Sequence, residues 1–328
     1  MLRKSTIRAW SPGAYASIMK WRTAGVGCGL LIALAVTGCT GNQGGPVTPP
    51  RPGASPLEQT GGRPGQAKLE HIVIIVDENK PATSIIGNPD APYLNSLAQT
   101  YAWADHYSAV THPSLPNYLA LTSGTTAGIR SDCAPGGSCL VTGPNLAQAI
   151  DRSGRTWKMY AESMTAPCTA ANTNTYAVKH NPFLYFPSVT TDRAYCSSHD
   201  VPYDRFVADL AGTKTLPDFA FISPNLCNDM HDCSIQAGDR WLQANIPRIL
   251  SSPAFTSQRS LLVVTFDEGD AADNTIACVF AGPAARSHAR SSTPFTHYSL
   301  LRTIESEWGI APLTAEDAAA TPMTALLN

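Results

Sequence analysis

Beyond its first 22 residues, which hold five of the 23 basic ones, the sequence has no cluster of basic residues and little charge of either sign. Of its 328 residues only 15% are charged, and lysine and arginine form no run or patch in the rest of the chain. Proteins that bind nucleic acid collect basic residues along one face or segment. Nucleic acid is therefore not expected as a partner of this chain.

The sequence also lacks a convincing membrane-spanning run. The apolar stretch from Ala24 to Val36 is shorter than the roughly 20 residues that cross a bilayer, and it is rich in glycine and alanine. It follows a basic leader and ends in VTGC, whose cysteine is Cys39. This pattern is typical of a bacterial lipoprotein signal, so residues 1–38 are expected to be removed and Cys39 acylated. An ordinary cleaved signal peptide with an incidental cysteine is the alternative.

Residues 39–67 are rich in glycine and proline, which predicts a disordered linker that could serve as the spacer of a lipid anchor. The protein is thus expected to be exported, and either lipid-anchored on the outer side of the cytoplasmic membrane or secreted. Without the first 38 residues the chain has 18 basic and 25 acidic residues, a net charge of about −7. Residues 68–328 are long enough to bury the core of one domain.

The positions of the nine cysteines are informative. Seven of the nine cysteines lie beyond Cys39, and cysteines outside the cytoplasm tend to pair. Proximity along the chain suggests three disulfides and leaves Cys278 free in an apolar segment, although connectivity cannot be derived from sequence. The suggested pairs are Cys133–Cys139, Cys168–Cys196 and Cys227–Cys233. A zinc site at the last pair is disfavoured, because its spacing is wrong and no second pair complements it.

Alternating strand and helix signals predict an α/β domain with a mostly parallel sheet between helical layers. The β-branched run from Ile72 to Val76 is typical of a strand buried on both faces, and the segment from Ser260 to Asp270 repeats its pattern. Further strands are expected in TWKMYAE, DFAFISPN and TIACVFAGP. Helices are expected from Ala91, over 145–154, from Asp239 and over 298–309.

Acidic pairs, Asp77-Glu78 and Asp267-Glu268, follow two of the predicted strands. Ser114, in THPSLPNYLALTSG, lies at a similar place, between prolines and before a predicted helix. In parallel sheets such positions gather at the carboxyl edge, where ligands bind. Carboxylates there can hold a divalent cation, and a serine at a helix start can attack phosphorus as a covalent nucleophile. Taken alone, each segment could also be a solvated turn or an ordinary loop.

Six segments together resemble a known family, and they occur in that family's order: HIVIIVDEN, THPSLPNYLALTSG, KHNPFLYF, NDMHDCSIQAGDRWL, LLVVTFDEGD and THYSLLRTIE. The resemblance covers roughly residues 68–310. It is to the bacterial phosphoesterase family of acid phosphatases and C-type phospholipases, within the alkaline phosphatase superfamily. It implies that residues 68–328 are a phosphoesterase catalytic domain with an alkaline-phosphatase-like three-layer α/β sandwich.

The resemblance also implies roles for individual residues and a divalent metal ion as cofactor. Ser114 matches the nucleophile that would form a phosphoserine, and His180 and His231 match residues that bind phosphoryl oxygens or protonate the leaving group. The implied metal ligands are Glu78, Asn79, Ser114, Asp267, Glu268 and His297. Candidate substrate contacts are His112, Asn117 and Lys179, although His112 could instead orient the turn and Lys179 could simply be a solubilising lysine.

The predicted function is metal-dependent hydrolysis of phosphate monoesters, as in the acid phosphatases of this family. The substrate would be a phosphorylated small molecule or a phosphoinositide such as phosphatidylinositol 3-phosphate, and the membrane would be reached through the N-terminal lipid anchor. A phospholipase C-type phosphodiesterase is the first alternative. It is weakened because Lys80-Pro81-Ala82 stands where that branch has Arg-Ser-Phe, and because no C-terminal lipid-binding domain is expected after the final helix. A non-catalytic binding lipoprotein is the second alternative.

Overall fold

A computed structural model describes residues 68–328. The predicted signal peptide, Cys39 and the linker up to residue 67 lie outside the described residues. The strands are β1 His71–Asp77, β2 Ala102–Ala104, β3 Tyr107–Ser108, β4 Trp157–Ala161, β5 Asp200–Pro202, β6 Phe219–Ser223, β7 Ser260–Phe266, β8 Cys278–Ala281, β9 Ala289–Ser291 and β10 Phe295–Thr296. The α-helices are α1 Ala82–Ile85, α2 Pro92–Thr100, α3 Ser114–Ser123, α4 Leu146–Arg152, α5 Pro187–Thr190, α6 Arg193–His199, α7 Asp204–Asp209, α8 Ile235–Leu250, α9 Pro253–Ser257, α10 His297–Trp308 and α11 Ala315–Ala319. Short 3-10 helices cover Gly137–Cys139, Val178–His180, Pro182–Tyr185 and Thr324–Leu326.

Eight strands form the central sheet in the order β5-β4-β6-β1-β7-β8-β2-β9, and β3 and β10 pair separately. Within the large sheet only β8 runs against its neighbours, so the predicted mostly parallel sheet is confirmed. β1 and β7 are parallel and in register along their whole length, with Asp77 opposite Phe266. Both strands are completely buried. Their carboxyl ends therefore lie side by side, where the two acidic pairs begin.

Helices cover both faces of the sheet. On β6, Phe221 packs against Tyr118 of α3, and α10 packs beside α3. The next residue, Ile222, points to the opposite face because side chains alternate along a strand. Tyr160 is in register with Ile222 and packs edge-on against Phe206 of α7. The domain is thus a three-layer α/β sandwich, as predicted.

The predicted helices are present, with one clear shift. The helix expected from Asp239 begins earlier, at Ile235, because the Ser234 side chain accepts a hydrogen bond from Ala237 N and caps it. The helix expected over 298–309 is followed by the short helix α11. Of the helices in residues 68–328, none is both long and apolar enough to cross a bilayer.

The structure contains the three disulfides that chain proximity suggested. They join Cys133 to Cys139, Cys168 to Cys196 and Cys227 to Cys233. Cys278 is a free, buried thiol on β8. The first and third bridges close short loops that flank the site described below, so they restrict loops rather than join distant parts of the core.

A buried pair of carboxyl groups joins α10 to α11. Glu305 and Asp317 are both fully buried, and both accept a hydrogen bond from Leu313 N, at 3.2 and 2.8 Å. Burial and the neighbouring Asp317 raise the pKa of Glu305 to about 9, against the opposing charge of Arg302. A raised carboxyl pKa stabilises the fold below the unfolded value near 4.3. That contribution is lost as pH rises toward 9.

Glu305→Gln should therefore reduce the loss of stability at alkaline pH. Glutamine is nearly isosteric with glutamate and cannot ionise. The fall in Tm from pH 6 to pH 9 should therefore be smaller in the variant than in the wild type, by about 3–6 °C. Thermal unfolding followed by circular dichroism at both pH values measures this difference. Glu316→Gln, at an exposed position of α11, is the matched control and should follow the wild type. An equal fall in Tm in Glu305→Gln and in the wild type would contradict the raised pKa of Glu305.

Candidate active site

The two acidic pairs meet at the carboxyl edge of the sheet. Asp267 N donates to Asp77 O at 3.0 Å, which joins the turns that follow β7 and β1. Asp267 Oδ1 also accepts from Asn79 N at 3.1 Å. Asn79 adopts a left-handed backbone conformation with φ of 53°, which asparagine tolerates better than most residues. The structure thus brings Asn79 to the acids through its backbone N–H.

Ser114 is the first residue of α3 and is buried. Pro113 precedes it in an extended conformation and provides no side-chain cap. The preceding turn is clamped by Asn117, whose Oδ1 accepts from Val110 N and Thr111 N at 2.9 and 3.1 Å and whose Nδ2 donates to Thr111 O. The predicted substrate contact Asn117 therefore holds the turn that presents Ser114.

The hydroxyl of Ser114 lies between an acid and a cation. Ser114 Oγ donates to Glu78 Oε2 at 3.1 Å, and Lys179 Nζ donates to Ser114 Oγ at 3.1 Å. Burial alone would lower the pKa of Lys179, but Glu78 and Asp132 raise it. A cationic lysine beside the oxygen favours negative charge on it, as nucleophilic attack requires.

His180 is buried between two carboxylates. Its Nε2 lies 3.0 Å from Glu78 Oε1, and its Nδ1 lies 3.3 Å from Asp229 Oδ2. The ring stacks on Tyr118, with 5.3 Å between ring centroids. Burial opposes protonation of the ring, but Glu78 and Asp229 outweigh it and raise the pKa of His180 to about 9. The two carboxylates therefore favour the protonated form of the His180 ring.

Glu78 receives donors on both oxygens. Tyr118 OH donates to Glu78 Oε1 at 2.7 Å, while Ser114 binds the other oxygen. Burial alone would raise the pKa of Glu78, yet His180, Lys179 and Tyr118 lower it to about 2. Glu78 is consequently an anionic carboxylate that can orient the Ser114 hydroxyl.

The other acids of the site have raised pKa values, because they are buried close to one another. Burial first, and then Glu78 and Glu268, raise the pKa of Asp267 well above its usual value. Burial and the charges of Asp229 and Glu78 do the same for Asp77. Burial, Glu78 and Asp132 raise the pKa of Glu268 to about 8. Positive charge would relieve this repulsion.

The donor chemistry of this acidic cluster fits a divalent cation. Both carboxyl oxygens of Asp77 and Oδ2 of Asp267 are buried and have no hydrogen-bond partner, and hard divalent ions prefer carboxylate oxygens. Within residues 68–328, however, no group of three or more His, Cys, Asp or Glu side chains has the spacing of a complete metal site. The fit therefore rests on donor type and orphaned oxygens, not on preformed coordination.

Glu268, a predicted metal ligand, is linked to the predicted substrate contact His112. His112 Nδ1 lies 2.8 Å from Glu268 Oε2, and Asn117 Nδ2 donates to the same oxygen at 3.3 Å. The His112 side chain is 42% exposed, whereas that of Glu268 is 8% exposed. His112 thus stands at the entrance of the site with its ring turned toward the acid.

His297, also a predicted ligand, has both ring nitrogens engaged by the protein. Nε2 lies 2.6 Å from Asp267 O, and Nδ1 lies 3.0 Å from Tyr107 OH. The ring is fully buried, and burial lowers its pKa to about 4. In this arrangement His297 presents no free nitrogen to an ion, and it fixes the backbone of Asp267 instead.

His231 lies near His180 but closer to solvent. The two ring centroids are 6.1 Å apart. His231 Nδ1 contacts Asp232 Oδ1 at 2.6 Å, and the His231 side chain is 29% exposed. Asp229 Oδ1 accepts from the backbone N–H of His231 at 2.8 Å, and Asp229 Oδ2 faces His180 instead of the His231 ring.

Three contributors were not identified from the sequence: Tyr118, Asp132 and the pairing of Asp229 with His180. Tyr118 lies one helical turn after Ser114, so (i, i+4) spacing could have placed both on one face of α3. Asp132 accepts from Leu115 N and pairs with Lys179. No motif marks Asp132, which lies in a loop directly before the disulfide-bonded Cys133.

Comparisons with known proteins identify the family of the chain. The phosphoesterase family profile matches residues 87–311. The chain is 38% identical over 257 residues to the phosphatidylinositol-3-phosphatase of Mycobacterium tuberculosis, covering 77% of this chain and 81% of that protein. It is 32% identical over 241 residues to the phosphate-repressible acid phosphatase of Penicillium chrysogenum, covering 69% of this chain but only 57% of the fungal protein. A solved structure of an alkaline phosphatase superfamily protein from Vibrio parahaemolyticus superposes with a TM-score of 0.55 at 16% sequence identity. The superposition covers 79% of this chain and 70% of the Vibrio chain, and it shows similarity of fold alone.

Proposed function

The chain belongs to the phosphoesterase family and is a phosphoric ester hydrolase, and from this premise we propose that it cleaves phosphate monoesters through a phosphoserine at Ser114. The observation that carries the proposal is the placement of Ser114 Oγ between Glu78 Oε2 and Lys179 Nζ, each at 3.1 Å. A buried hydroxyl with an acceptor for its proton and a cation for its developing charge is suited to nucleophilic attack.

In this mechanism Ser114 Oγ forms a bond to phosphorus while the bond to the leaving oxygen breaks. Glu78 accepts the proton of the attacking hydroxyl, and the cationic Lys179 and His180 stabilise charge on the phosphoryl oxygens. His231, partly exposed and 6.1 Å from His180 between ring centroids, protonates the leaving oxygen. The oxygen of a water molecule then forms a bond to phosphorus while the bond to Ser114 Oγ breaks. Glu78 returns its proton to Ser114 Oγ, His231 takes a proton from the water, and phosphate leaves.

A divalent ion fits beside this machinery. We assign Glu78, Asp267 and Glu268 as the carboxylates that hold it. Further candidates are Asp77, whose two oxygens have no hydrogen-bond partner, Asn79 and Ser114. When bound, the ion supplies positive charge that neutralises the buried acids and lowers the cost of charge on Ser114. His297 keeps Asp267 in place through the backbone contact at 2.6 Å, which is a positioning role rather than a ligand role.

The substrate and the cellular location are proposed on separate grounds. The name of the Mycobacterium tuberculosis relative suggests phosphatidylinositol 3-phosphate as a substrate to test, and that of the Penicillium chrysogenum relative suggests soluble phosphate monoesters. Export and lipid attachment at Cys39 are supported only by the N-terminal sequence, that is, by the basic leader, the apolar stretch, VTGC and the spacer that follows. A lipid anchor would hold the enzyme close to lipid substrates.

A hydrolysis panel tests the proposed function. 4-Nitrophenyl phosphate and phosphatidylinositol 3-phosphate should be cleaved faster than bis(4-nitrophenyl) phosphate and phosphatidylcholine. Chelation should abolish turnover and a divalent salt should restore it, because the carboxylates then regain their counter-charge. Phosphate release and phosphodiester cleavage are measured separately. Faster cleavage of the diesters would favour the phosphodiesterase alternative. Full activity in metal-stripped protein would contradict metal dependence, and tight binding without turnover would favour a binding lipoprotein.

A further inference from the structure

The first turn of α3 is already engaged by a carboxylate of the protein itself. Pro113 supplies no cap, and Pro116 in the first turn has no N–H, so few amide donors remain there. One of them, Leu115 N–H, donates to Asp132 Oδ1 at 3.0 Å. Asp132 therefore lies where helix amides and the helix dipole favour an anion.

The other oxygen of Asp132 binds the lysine that contacts the nucleophile. Lys179 Nζ donates to Asp132 Oδ2 at 3.0 Å and to Ser114 Oγ at 3.1 Å. One carboxylate thus bridges a helix amide and a cation that lie next to Ser114. The same two donors are suited to the oxygens of a phosphoryl group on Ser114, because charged donors bind anionic oxygens strongly.

We propose that Asp132 occupies the phosphoryl position in the free enzyme and competes with substrate and product phosphate for Leu115 N–H and Lys179 Nζ. Because it takes Ser114 as the nucleophile, this role of Asp132 rests on the proposed function. The carboxylate has to withdraw when phosphoryl oxygens arrive, and its negative charge opposes a phosphate dianion that lies within a few ångströms. Asp132 therefore limits affinity for phosphate and speeds its release.

The surroundings of Asp132 allow such a movement while keeping the residue near. The neighbouring Cys133 is fixed by its disulfide to Cys139, and Cys133 O accepts from Tyr185 OH at 2.7 Å. The backbone beside Asp132 is thus anchored. Its side chain is 29% exposed, so it can turn into solvent. An anchored backbone with a free side chain suits reversible displacement by a ligand.

The alternative is that Asp132 only caps α3, since an acid near a helix N-terminus stabilises the helix. Asp132→Asn separates the two roles. Asparagine keeps an acceptor for Leu115 N–H but loses the negative charge. The Kd of inorganic phosphate, measured by calorimetry on the metal-loaded full chain, should fall by about tenfold in Asp132→Asn. Asp132→Ala should bind phosphate at least as tightly, and in both variants KM should fall more than kcat.

Asp90→Asn is the matched control, because Asp90 is exposed and its removal changes net charge equally; its phosphate Kd should equal that of the wild type. Unchanged or weaker phosphate binding in a folded Asp132→Asn variant would overturn the competition and leave a capping role. Turnover and trapped phosphoserine are measured on the same wild-type preparation. If turnover and phosphoserine are both present while the phosphate Kd of Asp132→Asn does not change, the role of Asp132 is contradicted and the proposed function is not. If both are absent, the proposed function fails.

Discussion

Ser114→Ala is expected to lose nearly all turnover, a fall of several orders of magnitude, because a covalent nucleophile has no substitute in the site. The neighbours of the hydroxyl do not depend on it for their own placement. Glu78 still accepts from Tyr118 at 2.7 Å, and Lys179 still pairs with Asp132 at 3.0 Å. Binding of inorganic phosphate should therefore change much less than kcat.

The measurement combines kinetics with direct detection of the intermediate. Wild-type protein is quenched in acid during turnover and digested, and phosphate should be found on the peptide that contains residues 111–124. The alanine variant should form no such adduct. Ser123→Ala, at the other end of α3, removes a buried serine whose hydroxyl bonds only to backbone carbonyls. It is the matched control for helix stability and should retain turnover.

Direct attack by water is the competing mechanism. In that case Ser114 only shapes the turn, the alanine variant keeps a sizeable share of activity, and no phosphopeptide forms. An active Ser114→Ala variant without a wild-type adduct would remove Ser114 from the chemistry. The close contacts of its hydroxyl with Glu78 and Lys179 would then be structural.

The parts of the fold that could be predicted from sequence are those set by local pattern. The continuous apolar runs that became β1 and β7 are typical of strands buried on both faces, and their parallel pairing brings the following acids together. The family inferred from the motifs is confirmed by the match over residues 87–311. These features can be predicted because the composition of a short segment determines them.

The details of the site depended on contacts between distant segments. His180 meets Asp229, and Asp132 meets Lys179, because loops fold back over the sheet edge. No local pattern encodes which oxygen faces which donor. The same reason applies to His297. The family resemblance implied a metal ligand there, while in the structure both of its ring nitrogens are engaged with protein atoms.

The position of Asn117 illustrates a further limit. Its place in the Ser114 motif suggested contact with substrate, yet its amide bonds on both sides to the turn at Val110 and Thr111. A short polar side chain near a nucleophile can serve either purpose, and the sequence is identical in both cases. Only the direction of the side chain, set by the extended approach to α3, distinguishes them.

Asp267→Asn is expected to lose bound metal and activity together. Asp267 is fully buried, and its Oδ2 has no hydrogen-bond partner, so this oxygen is available to an ion. Replacing it by an amide nitrogen removes a charged ligand. The contact from Asn79 N at 3.1 Å survives, because asparagine keeps an oxygen there. Metal affinity and turnover should each fall by about 100-fold or more, since even supporting residues around a metal cost 10–100-fold.

Stability without metal should move in the opposite direction, which separates ligand loss from misfolding. The pKa of Asp267 is raised by burial and by Glu78 and Glu268, so its charge is unfavourable when no cation is present. Metal-stripped Asp267→Asn should therefore melt at the same or a higher temperature than metal-stripped wild type. The wild type should gain Tm when a divalent salt is added, because ligands that bind only the folded state stabilise it. The variant should gain little.

Metal content by plasma mass spectrometry and melting curves with and without metal give both readouts. Asp239→Asn, a buried acid that caps α2 through Tyr93 N and Leu94 N, is the control that should keep its metal. Full metal content and full turnover in Asp267→Asn would exclude Asp267 as a ligand, and a lowered Tm in the metal-free variant would show that its charge is stabilised by the protein alone.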